Sequence, residues 1–148
     1  MHDGRPFHIP RSRFQNPRAH QRVFRDKQAN LTLPRVTKTK IAAVADITEG
    51  KAITFPFTRN GRPTEGFVIR FQGQLVAYEN QCRHLPLRLD YESGDFFTRD
   101  RQHIICQTHN ATYEPLTGLC IRGPCEGQSL KPLQIEIIDG DVWFVGNI

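Results

Sequence analysis

The chain has 148 residues, which suits one folded domain and leaves little length for a second. Hydrophobic residues make up 38% and charged residues 24%, a composition that is ordinary for a soluble globular protein. No stretch approaches the roughly 20 apolar residues that cross a bilayer, so we do not expect an integral membrane protein.

Residues 1–38 carry the basic charge of the chain. They contain nine Lys or Arg against Asp3 and Asp26, a net charge of +7, while the whole chain carries +5. Several prolines and the lack of an apolar period predict a flexible N-terminal extension, whose simplest interpretation is a solvated leader. Arginines interleaved with phenylalanines could instead form an arm that docks on an acidic protein. Nucleic acid is disfavoured as its target, because no recognisable nucleic-acid motif is present.

The N-terminal residues resemble neither common export signal. They show no apolar run behind their positive charges, and they contain no adjacent arginines. We therefore expect a cytoplasmic protein, with mitochondrial import as the alternative.

From about Lys40 the sequence changes to short alternating apolar stretches separated by turn residues, which is typical of antiparallel β structure. The predicted strands cover residues 41–45, 52–57, 66–71 and 75–79, with turns at 59–63 and at Gln72-Gly73. Alternation places two sets of side chains each on one side of a sheet. These sets are Ile53, Phe55 and Phe57, and Phe67, Ile69 and Phe71.

The C-terminal residues predict a hairpin. Leu133, Ile135 and Ile137 alternate with polar residues, and Asp139-Gly140 then leads into a second apolar strand over residues 141–145. The predicted architecture is all-β, a small antiparallel sandwich or barrel over residues 39–148 that follows the extension at 1–38.

Two cysteine–histidine pairs lie between these groups of strands, each where a strand runs into a loop. They are Cys82-Arg83-His84 and Cys106-Gln107-Thr108-His109. Thiolate and imidazole both bind soft or borderline metals, and the set also suits a structural zinc site. Zinc modules usually group their cysteines and their histidines, whereas here each loop supplies one of each. This order favours a centre with two metal atoms.

At these residues the sequence resembles the Rieske family, over roughly residues 40–145. The resemblance implies one [2Fe-2S] cluster in a cluster-binding subdomain, with Cys82 and Cys106 on one iron and His84 and His109 on the other. It also implies that the histidine end faces solvent and partner proteins.

Further residues gain roles from the resemblance. Tyr113 matches a tyrosine whose hydroxyl bonds a cysteine ligand sulfur, and Gly123-Pro124 matches a loop that covers the cluster. Leu85, beside His84, would shield the cluster from water. Asn110 replaces a glycine and tolerates the left-handed conformation better than most residues. The alternative for the prolines is that they only stiffen turns.

The resemblance also predicts a soluble, low-potential type. High-potential members join the two ligand loops by a disulfide, but Leu87 and Thr108 occupy those positions here. They also place a serine, which donates to a bridging sulfide, where this chain has Ala111. Hydrogen bonds to cluster sulfurs stabilise the reduced state, so their loss lowers the potential.

Cys120 and Cys125 remain outside this set. In a reducing compartment we expect them to be free thiols. A reversible disulfide and metal ligation are the alternatives.

A cluster whose four ligand positions are filled by protein has no open position for substrate, so we assign no catalytic residue. We expect a soluble ferredoxin component that carries one electron from a reductase to a terminal oxygenase. A small subunit of a nitrite-reductase-like complex and a zinc-binding interaction module are the alternatives.

Overall fold

The computed structural model describes residues 35–147. The interpretations of the basic extension, its docking role included, concern residues that lie almost entirely outside this range. Within residues 35–147 no helix is long and apolar enough to cross a membrane.

Three small antiparallel sheets form the fold, so the predicted all-β architecture is confirmed. The first sheet contains β1 (Val36–Ala43), β9 (Asp141–Asn147) and β8 (Ile135–Ile138), in that order. The second contains β2 (Ala52–Arg59), β3 (Arg62–Phe71) and β4 (Gln74–Glu79). The third contains β5 (Ile104–Ile105), β6 (Thr112–Tyr113) and β7 (Cys120–Arg122). A short 3₁₀ helix, Val44–Asp46, follows β1.

Two-residue turns close three of the hairpins. Two of these turns lie where the sequence predicts them, whereas the turn expected over 59–63 shortens to Asn60-Gly61 because β2 and β3 stay paired as far as Arg59 and Arg62. The turns Asn60-Gly61, Gln72-Gly73 and Asp139-Gly140 all have two consecutive positive φ angles. This backbone matches the twist of the flanking strands, which is why asparagine, aspartate and glycine recur in such turns. The turns fix the register of β2 against β3, β3 against β4, and β8 against β9.

The first strand differs from its prediction. It was expected over residues 41–45 but runs over Val36–Ala43, so it includes the last residues assigned to the extension. Its first half is exposed and polar, and it is held by pairing with β9 and by an ion pair of 2.7 Å between Lys38 and Glu136. Such a strand has no apolar alternation of its own.

The second sheet lies between two hydrophobic cores. Phe55, with Ile53 and Phe57 beside it, packs into a base core against the first sheet. Phe67, Ile69 and Phe71 face the other core. Each predicted set therefore lies on one side of the sheet, as expected.

Residues 80–131 form a lobe inserted between β4 and β8, called here the inserted lobe. Its ends meet, because the Glu79 N–H donates to the Lys131 carbonyl at 2.9 Å. Phe96 of the lobe stacks on Phe67 with ring centroids 4.2 Å apart. The inserted lobe contains the third sheet and both cysteine–histidine loops, and it corresponds to the predicted subdomain.

Candidate metal centre

The first predicted ligand loop is a tight turn that begins at Cys82, shortly after β4. Its ends are joined because the Cys82 N–H donates to the Leu87 carbonyl at 2.8 Å. Cys82 is 5% exposed, whereas His84 is exposed. The loop thus buries its cysteine and presents its histidine at the surface.

The second loop begins at Cys106, directly after β5. The Cys106 N–H donates to the Ala111 carbonyl at 2.8 Å, and the Asn110 N–H donates to the Cys106 carbonyl at 2.9 Å. Asn110 has a φ of 58°, the left-handed conformation that was expected at this position. Cys106 is 1% exposed and His109 is exposed, so the second loop repeats the arrangement of the first.

The two loops bring like donors together. The rings of His84 and His109 have centroids 5.0 Å apart and lie at 80° to each other. The Cys82 and Cys106 thiols are close enough for Cys106 to contribute to lowering the pKa of Cys82. This pairing of sulfurs beneath imidazoles supports the four residues as ligands, and their assignment stays a prediction.

Backbone N–H groups converge on both sulfurs, from the residues two and three positions after each cysteine. At Cys82 burial raises the pKa, but the hydrogen bonds, led by the one with Tyr113, outweigh burial and leave the pKa lowered. At Cys106 burial prevails and the pKa is raised. N–H donors of this kind stabilise negative charge on sulfur, as a cluster-bound thiolate requires.

Donor grouping separates the two metal interpretations. Within the described range no three His, Cys, Asp or Glu side chains are grouped to hold a single ion. A structural zinc site places four donors around one ion, whereas a Rieske cluster takes two protein donors on each iron. The donors of this chain are paired by type, two buried thiols and two exposed imidazoles, and this pairing fits the binuclear group.

Tyr113 makes the predicted contact with a cysteine sulfur. Its hydroxyl lies 3.4 Å from Sγ of Cys82 and accepts the Arg83 N–H at 3.2 Å. It also lies 3.2 Å from Sγ of Cys125. Burial is the main cause that raises the pKa of Tyr113, so its hydroxyl keeps the proton it needs as a donor.

The segment Gly123-Pro124 passes directly against the second ligand loop. A Cβ at Gly123 would lie 2.9 Å from Cα of Ala111. Ala111 is fully buried and presents a methyl group there. Pro124 is exposed, and so is Leu85 in the first loop, at 42%. The covering role of these residues stays a prediction.

Leu87 and Thr108 occupy the positions that the resemblance gives to the disulfide of high-potential members. Both residues line one cleft at the surface. Neither side chain can form a disulfide.

Cys120 and Cys125 lie beside Tyr113 as free thiols. Their Sγ atoms are 3.2 Å apart, and each residue is 1% exposed. Burial is the main cause that raises the pKa of Cys120 to about 11. The favoured prediction of packed thiols agrees with this geometry, while the short separation keeps the disulfide alternative open.

Asn80, which the sequence analysis did not single out, clamps the base of the first loop. Its Oδ1 accepts the Leu89 N–H at 2.9 Å, and its Nδ2 donates to Oδ1 of Asp90 at 3.1 Å. The Leu89 carbonyl in turn accepts the Gln107 N–H at 2.8 Å. This clamp sets the spacing between the two ligand loops.

Two comparisons concern the sequence. Residues 37–138 match the family model described as the Rieske [2Fe-2S] domain. Among curated proteins no match is found.

Solved structures share the fold. A chain from the complex of reduced oxygenase and oxidized ferredoxin in carbazole 1,9a-dioxygenase is 27% identical, with a TM-score of 0.57, over 74% of this chain and 93% of that one. The ferredoxin of carbazole 1,9a-dioxygenase from Nocardioides aromaticivorans IC177 is 20% identical, with a TM-score of 0.55. That match covers 73% of this chain and 96% of the ferredoxin. A chain from the reduced complex between oxygenase and ferredoxin in carbazole 1,9a-dioxygenase is 21% identical, with a TM-score of 0.61. The match covers 75% of this chain but spans 28% of that one.

Proposed function

This chain belongs to the Rieske [2Fe-2S] domain family, and we propose that it is a one-electron carrier, the ferredoxin component of an oxygenase system. Its cofactor is accordingly a [2Fe-2S] cluster. When bound, a cluster with four protein ligands exchanges a single electron and offers no open position to a substrate.

Cys82 and Cys106 would hold one iron, and His84 and His109 the other. The observation that carries this assignment is the separation of the donors. The two sulfurs are buried with N–H groups around them, whereas the two imidazoles lie side by side at the surface. Side chains alone thus define a buried thiolate end and an exposed imidazole end.

The imidazole end is the surface through which electrons would pass. Electron transfer between proteins needs a close approach, and His84 and His109 are exposed where a partner can reach them. Leu85 and Leu87, both more than a third exposed, add apolar surface beside His84. Exposed apolar groups near a functional residue suit a transient protein contact.

The solved chain at 27% identity supports the oxygenase setting. It comes from a complex of oxygenase and ferredoxin, and this chain spans 93% of its length. We assign this protein the place between a reductase, which would supply the electron, and a terminal oxygenase, which would accept it.

Metal analysis and electron paramagnetic resonance of the purified protein test the proposal. We expect iron and acid-labile sulfide in equal amounts, about two of each per chain, and a Rieske-type signal after reduction. Colourless, zinc-loaded protein would contradict the cofactor assignment. A stoichiometric large subunit that co-purifies would contradict the role of a free carrier.

The ligand assignment is tested in the same experiment with the variant His109→Cys. It should lose the Rieske-type signal, because a thiolate adds negative charge where imidazole was neutral. His103→Cys is the matched control, since His103 lies outside both loops, 3.7 Å from Glu114, and should leave the signal unchanged.

A further inference from the structure

Three sulfur atoms and one hydroxyl form a continuous chain of contacts inside the inserted lobe. The chain runs from Cys120 to Cys125 at 3.2 Å, from Cys125 to the Tyr113 hydroxyl at 3.2 Å, and from there to Cys82 at 3.4 Å. All four residues are buried. The proposed function uses Cys82 and Tyr113 but leaves the other two thiols without a role.

We propose that Cys120 and Cys125 form a reversible dithiol–disulfide couple, a second redox site whose state is transmitted through Tyr113 to the cluster ligand Cys82. The transmission rests on the proposed function, because it requires the cluster on Cys82. Formation of the disulfide itself does not depend on the proposed function.

The oxidant that the couple would take is a small-molecule disulfide. One protein thiolate attacks it, forming a mixed disulfide and releasing one small thiol. The second protein thiolate then displaces the other small thiol and closes the bond between Cys120 and Cys125. The protein loses two electrons and two protons, and the small disulfide is reduced to two thiols.

Local geometry allows this closure. A disulfide bond is about 2 Å long, so the sulfurs have roughly 1 Å to travel. Both cysteines lie in one short hairpin that is tied by hydrogen bonds from the Cys120 N–H to the Gln128 carbonyl at 2.7 Å and from the Gly127 N–H to the Cys120 carbonyl at 2.9 Å. The backbone around them is therefore already closed.

Access requires local opening, because each cysteine is 1% exposed. The residues between and after them are exposed, and a bond of 3.2 Å from the Glu126 N–H to the Gly123 carbonyl closes the turn. Exposed segments open at a lower free-energy cost than the core does. Oxidation should therefore proceed without global unfolding.

Hydrogen-bond chemistry at Tyr113 provides the link to Cys82. The Tyr113 hydroxyl has one proton to donate and already accepts the Arg83 N–H. In the dithiol form the single S–H of Cys125 can be directed at Cys120 or at the Tyr113 oxygen. When it is directed at the oxygen, the tyrosine proton is left for Cys82 and Tyr113 is a stronger donor. A disulfide has no S–H, so Cys125 changes from a donor into a competing acceptor.

Oxidation of the pair should thus weaken the hydrogen bond from Tyr113 to the ligand sulfur of Cys82. Hydrogen bonds to cluster sulfurs stabilise the reduced state, so the cluster potential should become more negative when the disulfide forms. Linkage requires the reverse as well: a reduced cluster should make the pair harder to oxidise.

The test is anaerobic equilibration of the holoprotein with mixtures of oxidised and reduced glutathione. Alkylation and peptide mass mapping should show a link between Cys120 and Cys125, with the loss of two hydrogen atoms. The cluster potential, measured on the same samples, should shift to a more negative value as the link forms, while electron paramagnetic resonance confirms that the cluster is intact.

Two variants isolate the link. Tyr113→Phe should still form the disulfide, but its cluster potential should no longer depend on the disulfide. The double variant Cys120→Ser with Cys125→Ser can form neither the disulfide nor a mixed disulfide with glutathione, so its cluster potential should show no response to glutathione.

Two results would overturn the proposal. One is wild-type protein whose Cys120 and Cys125 stay fully alkylatable in excess oxidised glutathione. The other is an oxidised pair with an unchanged cluster potential. A disulfide in a protein without any cluster signal would instead count against the proposed function.

Discussion

Asp90 is a negative charge that is almost completely buried, and its neighbours determine its protonation. Burial raises the pKa of this carboxyl, but hydrogen bonds from Asn80, the Gly94 N–H and Arg88 outweigh burial and leave the pKa lowered. A carboxyl with a lowered pKa in the folded state stabilises the fold above its unfolded pKa. That contribution is lost as the pH falls through the folded pKa.

Asp90→Asn should therefore destabilise the protein at neutral pH by about 2 kcal/mol, because the charged hydrogen bonds to Asn80, Gly94 and Arg88 are weakened. The difference from wild type should shrink as the pH falls below about 4, the usual range of aspartate. Urea unfolding at several pH values measures both effects. Asp139→Asn, at an exposed turn, is the control and should change stability little. Equal losses in the two variants would contradict this account.

At the residue scale, the sequence pointed to the cysteines and histidines that the structure pairs, but not to the residues that support their loops. Cysteine and histidine lie two or three positions apart in each loop, so the motif is local and can be recognised directly. The roles of Tyr113 and Asn110 followed from the resemblance. The structure shows the expected contact of Tyr113 with a cysteine sulfur and the expected left-handed conformation of Asn110. Asn80 and Asp90 meet across a ten-residue separation with no periodicity to mark them.

Among the elements, hairpins with two-residue turns were predictable and short strands were not. Asn60-Gly61, Gln72-Gly73 and Asp139-Gly140 mark their turns chemically, and long flanking strands show alternation. The strands β5, β6 and β7 have two or three residues each, too few to show a period. Their positions depend on tertiary pairing within the inserted lobe.

The approach of the Gly123 segment to the second ligand loop can be tested by substitution. Gly123→Ala would place a Cβ 2.9 Å from Cα of Ala111, a backbone atom that cannot rotate away, so the segment must move off the second ligand loop. We expect a loss of about 1–3 kcal/mol in unfolding free energy from overpacking, beyond the strain of a positive φ. We also expect faster loss of the cluster's visible absorbance in a chelator.

Gly127→Ala is the matched control for this prediction. Gly127 lies in the same segment and has a φ of 86°, and a methyl group added there would meet no atom within 4 Å. The control variant therefore carries the backbone strain without the clash. Similar cluster lifetimes in the two variants would show that the approach to Ala111 is unimportant.

The whole molecule combines a base, made of the first two sheets, with the inserted lobe that carries the loops. The strand β3 belongs to both cores, since Val68 faces the base core and Phe67 and Ile69 face the core of the lobe. Unfolding of base and lobe should therefore be coupled. The strand pattern and the resemblance predicted this arrangement of a β base and a cluster-binding subdomain in outline. They did not predict where β1 begins.

The reduction potential is a property of the whole molecule. It depends on the type of cluster, on how deeply the cluster is buried, and on every hydrogen bond to the cluster sulfurs. The disulfide positions are occupied by Leu87 and Thr108, and Ala111 supplies no hydroxyl. We expect a potential in the lower third of the Rieske range of about −150 to +300 mV. Protein-film voltammetry measures it, and a value above about +150 mV on that scale would contradict the prediction. Ala111→Ser, which restores a donor, should raise the potential.

The meeting of Glu79 and Lys131 at the neck of the inserted lobe has a consequence for protein engineering. A segment of some fifty residues that leaves and rejoins its scaffold at neighbouring positions needs from a host two adjacent antiparallel strand ends and an apolar sheet face. Phe67, Ile69, Phe71 and Tyr78 supply that face here. Such a module could be exchanged between relatives or transplanted to another sheet, carrying its redox chemistry with it while the recipient keeps its own framework.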